Sequence, residues 1–168
     1  LKIFDKFYSR YEMNLEQEVY KTALLLVEHF SHFEQRRKID LDYTGRHTRL
    51  FQNILHPEWY FVGYGKTKET LTDNEMYPEH VVPCTVLMDE CERLIADGMA
   101  YEEIAKLLVK HWKIVYITYA QAKSLDTRSG INLKSKMPEG WRFETGDTFA
   151  RLKLANIIKD EKELLPID

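Results

Sequence analysis

With 168 residues, 44% apolar and 12% aromatic, the chain has enough hydrophobic material for one packed domain and does not have the composition of a disordered segment. Its formal charge is −3, from 24 Lys and Arg against 27 Asp and Glu, so any nucleic-acid binding must come from a local basic patch, not from the overall field. Only two cysteines are present, with no Cys-x-x-Cys, which excludes a zinc ribbon.

The longest pure apolar run, Ala23 to Val27, is too short to cross a membrane, and Leu1-Lys2-Ile3-Phe4-Asp5 lacks a signal-peptide pattern. The expectation is a cytoplasmic protein with no membrane partner.

Residues 1–13 mix aromatic and charged types and suit a short helix or a docking arm. Asn14 reads as an N-cap, with Gln17 at the capping-box position. Leu15, Val19, Ala23, Leu26, Phe30 and Phe33 recur at three- and four-residue spacing and predict a helix over 15–33, its stripe widened by Leu24, Leu25 and Val27. A basic segment follows. Lys38, Arg46, His47 and Arg49 surround a turn at Gly45, and cations around a turn suit phosphate contact. The alternative is a solvated helix end.

Glu58 to Gly65 reads as a strand that ends at glycines, and 77–82 as a second strand, the two able to pair as an antiparallel ribbon. Thr85 is placed to cap a helix from Val86 to Asp97 that ends at Gly98. Cys84 and Cys91, seven apart, would then lie on one helix face about 10 Å from each other, too far to pair, and read as buried reduced thiols. A second helix spans about 100–111, but Glu102 and Glu103 would repel DNA if it served as a recognition helix. Residues 113–118 form the clearest strand, and Thr118 caps a short helix from Tyr119 to Leu125. After a loop through Pro138-Glu139-Gly140, Asp147 caps a last helix carrying Phe149, Leu152, Leu154 and Ile157.

The chemistry concentrates in Tyr77-Pro78-Glu79-His80-Val81-Val82-Pro83-Cys84. Pro78 and Pro83 hold their preceding residues extended, and Val81-Val82 favour a strand. Adjacent Glu79 and His80 then point to opposite faces. The bland alternative is that His80 is a hydrogen-bonded core or rim histidine.

Glu79-His80-Val81-Val82-Pro83 resembles the first motif of the HNH (His-Me finger) nucleases. The resemblance is strong over about five residues and weak over perhaps forty. It implies that His80 is the general base that activates water and that Glu79 binds a divalent metal, Mg or Mn. In that family a strand and short helix supply the last metal ligand. Here that helix offers Gln121, Lys123 and Asp126 and no histidine, and the middle asparagine of the motif is not identifiable. Asp126 is the second metal ligand expected, and Lys38, Arg46, His47, Arg49 and Lys123 are the expected phosphate contacts.

The fold expected is α+β, several helices around a small, mainly antiparallel sheet built from 58–64, 77–82 and 113–118. One domain covers 1–168, with a helical part about 1–56, a nuclease-like part about 57–158 and a frayed tail 159–168. The function expected is a metal-dependent endonuclease-like phosphodiesterase on DNA or RNA. The alternative is a non-catalytic protein-binding or inhibitory protein on the same scaffold.

Overall fold

The computed structural model describes residues 14–39, 46–73, 76–127 and 130–167. The 1–13 arm and the Gly45 turn lie outside the described residues. Among them, seven α-helices surround a three-stranded sheet, an α+β fold.

α1 (Leu15–Ile39) is longer than its apolar stripe predicts. Asn14 Oδ1 accepts the Gln17 amide at 3.2 Å, as an N-cap does. Val19, Ala23, Leu26, Val27, Phe30 and Phe33 are all buried, whereas Leu25 faces solvent and does not widen the stripe. Two short helices follow, α2 (Arg49–Ile54) and α3 (Glu58–Val62).

The expected strand over 58–64 is therefore mostly helix. Its aromatic run has the composition of a strand, yet Pro57 starts a helical turn that ends at Gly63. A Cβ at Gly63 would collide with the Trp59 carbonyl oxygen and come within 2.9 Å of Ile167 Cδ1, so only glycine lets the chain turn into β1 (Gly63–Lys66) here.

The sheet has the order β1-β3-β2, with β2 covering Met76–His80 and β3 covering Ile114–Thr118. β2 runs antiparallel to β3, with His80 opposite Ile114 and Glu79 opposite Val115. β1 runs parallel to β3 and does not touch β2, so the expected ribbon between the first two strands is not formed and the sheet is mixed. The apolar β3 takes the centre because both its faces are covered.

Between β2 and β3 the chain makes a helical hairpin, α4 (Cys84–Ala96) and α5 (Tyr101–His111), which packs on α1. The sheet separates two cores. Val82, Ile114 and Trp112 join α1, α4 and α5 on one side. Val81, Val115 and Ile117 join α6 (Tyr119–Asp126) and α7 (Ala150–Leu154) on the other.

Thr118 caps α6 as expected. Its hydroxyl accepts the Gln121 amide, and Gln121 Oε1 accepts the Thr118 amide at 2.9 Å, a complete capping box. The expected fraying of 159–168 is not observed through residue 167: Leu165 exchanges two backbone hydrogen bonds with Lys66, at 2.9 and 2.8 Å, and so covers the outer edge of β1. No described helix is long and apolar enough to cross a membrane.

Candidate functional site

β2 ends at His80 because Pro83 cannot continue the ladder and starts α4 instead. The first helical bond runs from the Leu87 amide to the Pro83 carbonyl at 3.0 Å. The expected cap at Thr85 is displaced: the helix begins two residues earlier than Thr85 would set it, and the Thr85 hydroxyl donates to the Ser135 carbonyl at 3.3 Å. Pro83 at the N-cap has no side-chain acceptor, so among the described residues the first-turn amides of α4 have no side-chain cap.

The two faces of β2 have opposite fates. On one side the Glu79 carboxylate meets Arg151, a side chain with no solvent exposure. The Arg151 guanidinium also donates to the His80 carbonyl at 2.5 Å and to the Leu133 carbonyl at 2.9 Å. Burial raises the Glu79 pKa, and the adjacent Arg151 works against that rise. On the other side His80 Nε2 donates to Glu58 Oε1 at 2.8 Å. The same oxygen accepts the indole N–H of fully buried Trp112 at 2.6 Å. Glu58 thus orients the imidazole and is itself held by a residue that cannot move.

With Nε2 committed, the rest of the imidazole faces a cavity of about 460 Å³. Cys84, Arg49, Lys134 and Asp126 share its wall. Burial alone would lower the His80 pKa, but Cys84 and Glu58 outweigh it and push it up to about 10. At neutral pH the imidazole therefore carries both protons. The resting protein presents a proton donor, and a base only after that proton has been given. An adjoining cavity of about 350 Å³ shares His80, Pro78 and Gln52 with the first and is walled by Trp59, Asn53 and His56.

The expected phosphate contacts divide. Arg49 alone among those described borders the cavity, beside the expected base His80. His47 is exposed and turned inward on its own loop, its Nδ1 accepting the Arg49 amide at 3.0 Å. Arg46 is neutralised by Glu92, at 2.6 Å, and by Asp89, both on α4, so it stitches the loop to that helix and does not grip phosphate. Lys123 lies exposed on α6, away from the cavity wall. Lys38 lies near the end of α1, and its side chain falls outside the described residues.

Glu79 and Asp126 both border the cavity, yet they do not fit a divalent ion. A metal at Glu79 would displace Arg151 and leave a buried guanidinium without its counter-charge. Among the described residues no three His, Cys, Asp or Glu side chains are disposed to hold a metal.

Sequence reasoning missed Glu58, Arg151, Lys134 and the exposure of Cys84. Cys91, two turns along α4, is fully buried as expected. No family model, curated protein or solved structure matches the chain.

Two outcomes follow. Arg151→Met should cost about 3–5 kcal/mol in urea unfolding, because Glu79 would keep a buried charge without a partner; a cost well under about 1 kcal/mol would show that water solvates Glu79. The second concerns pH. His80 has a folded pKa of about 10, above its ordinary 6.5, so its contribution is complete below about 6.5 and is lost as pH rises towards about 10. Buried His111 donates from Nε2 to the Phe143 carbonyl at 2.7 Å, and burial pushes its pKa down to about 4. Its contribution is lost as pH falls from about 6.5 to about 4. Stability should peak near neutrality, and His80→Asn should flatten only the alkaline limb, by on the order of 2 kcal/mol at about pH 9. An alkaline limb unchanged in the variant would contradict this.

Proposed function

We propose that this protein binds the phosphate backbone of a nucleic acid at the His80 cavity and cleaves a phosphodiester there. One observation carries the reading: a doubly protonated histidine, clamped by Glu58, shares a cavity with Arg49, Lys134 and the uncapped N-terminus of α4. Cationic side chains and unsatisfied helix amides together favour an anion of phosphate type. The adjoining cavity supports a nucleotide in particular. Trp59 is 43% exposed and offers a stacking face, with Asn53 and Gln52 beside it as amide partners for a base edge.

In this reading Arg49 and Lys134 hold the non-bridging oxygens, and His80 protonates the leaving oxygen. The resemblance to His-Me finger nucleases picks out the same residue, which it casts as the base that activates water, at the end of a strand paired antiparallel with one that leads into a short helix. The chemistry is carried by protein groups, so cleavage should persist in EDTA. The two free thiols fit a reducing, cytoplasmic setting.

A protein-binding role has its own support in Trp59, Tyr60 and Tyr64, three exposed aromatics on α3 and β1.

The test is binding and cleavage of single-stranded DNA, duplex DNA and RNA. Arg49→Ala with Lys134→Ala should weaken binding and reduce its salt slope by about two units, roughly one per lost phosphate contact. His80→Ala should leave binding nearly intact and lower cleavage by about 10²-fold or more. A parent that neither binds nor cuts any of the three, with or without EDTA, would remove this reading and leave the aromatic face as the functional surface.

A further inference from the structure

We propose that Cys84 is the nucleophile of this site, forming a covalent S-phosphoryl intermediate with His80 as its proton partner. The inference rests on the phosphodiester reading of the cavity. Its basis is an arrangement of three side chains and a cavity. Cys84 is the first residue of α4, half-buried, and shares the cavity wall with His80. The two are four residues apart, joined through Val81, Val82 and Pro83, all buried, so their spacing is rigid. His80 is oriented from behind by Glu58, and Glu58 by Trp112. A thiol beside an imidazole whose far nitrogen is held by a carboxylate is the arrangement that activates a sulfur nucleophile. The start of a thirteen-residue helix adds amide N–H groups next to that sulfur, where a transferred phosphoryl group would sit.

The second cysteine is the internal contrast. Cys91 lies on the same helix but has no solvent exposure, and burial pushes its thiol pKa well up. A chain that needed only small apolar packing at both positions would have no reason to set one of them at a polar cavity.

The steps balance without a further reactant. The Cys84 thiolate attacks phosphorus, forming the S–P bond as the P–O ester bond breaks. The His80 imidazolium gives its proton to the departing oxygen. The neutral imidazole then takes a proton from water, and the hydroxide attacks phosphorus. The S–P bond breaks, the thiolate is regenerated, and His80 is again protonated.

The experiment uses the whole chain with bis(p-nitrophenyl) phosphate. The parent should release a burst of about one equivalent of nitrophenolate before steady turnover. Acid quenching should then trap a phosphoryl adduct that peptide mapping places on Cys84. Cys84→Ser should lose about 10²-fold or more of the turnover while melting like the parent. Independently of turnover, iodoacetamide should modify Cys84 and spare Cys91. That modification should slow by about tenfold or more in His80→Asn, and inorganic phosphate should protect against it. A folded Cys84→Ala that cleaves at the parental rate while His80→Ala does not would overturn the covalent step and leave the His80 reading standing. Parental activity in both variants, or no nitrophenolate from the parent, would overturn both. Alkylation of Cys84 that is indifferent to His80→Asn would also overturn the pairing.

Discussion

Arg151 is fully buried, and its guanidinium ties together three pieces of chain that are distant in sequence. It meets the Glu79 carboxylate and the His80 carbonyl on β2, and the Leu133 carbonyl in the loop after α6. His80 and Lys134 are the cavity residues at or beside those anchor points. The Leu133 amide in turn donates to the Leu125 carbonyl at 2.8 Å, which brings in the end of α6 and Asp126. One buried cation therefore sets the separation of three walls of the cavity. A carboxylate and two carbonyl oxygens replace the water lost by its two terminal nitrogens, while Nε is buried without a partner.

The sheet makes this economical. Because side chains alternate along β2, Glu79 goes to the Arg151 side and His80 to the Glu58 side. The structural ion pair and the chemical histidine occupy adjacent positions without competing. What the first pair fixes is the backbone of His80, and what Glu58 and Trp112 fix is its ring. Pro83 then ends the strand and begins α4, which brings Cys84 and the helix amides to the same edge. The cavity is thus formed where a strand, a helix start and a loop converge, each held by a different contact.

Much of the framework was legible in the sequence because its signals are local. The three-and-four spacing from Leu15 to Phe33, the β-branched run of β3 and the Thr118 cap each depend on neighbours within a few residues. His80 was legible as a centre of interest for the same reason. The rest depends on distant partners. The basic run around Arg46 reads as a phosphate contact until Asp89 and Glu92, more than forty residues later, neutralise it. Arg151 sits in an ordinary helical pattern, and only Glu79, 72 positions earlier, explains its burial. Glu58 was hidden because an aromatic five-residue helix has the composition of a strand, and Trp112, which holds it, lies 54 positions away. The metal expected at Glu79 gave way to an arginine that no local signal reveals.

His80 is a fixed imidazolium, held through Nε2 by Glu58, with Cys84 and the cavity on its other side. Nitrogen-15 NMR of the histidine side chains, assigned with His80→Asn and recorded against pH with and without a phosphodiester probe, tests it directly. The ring should stay doubly protonated well above pH 7, with a midpoint near 10, and its resonance should shift when the probe binds. A His80 that titrates near its ordinary value of 6.5 and ignores the probe would contradict it.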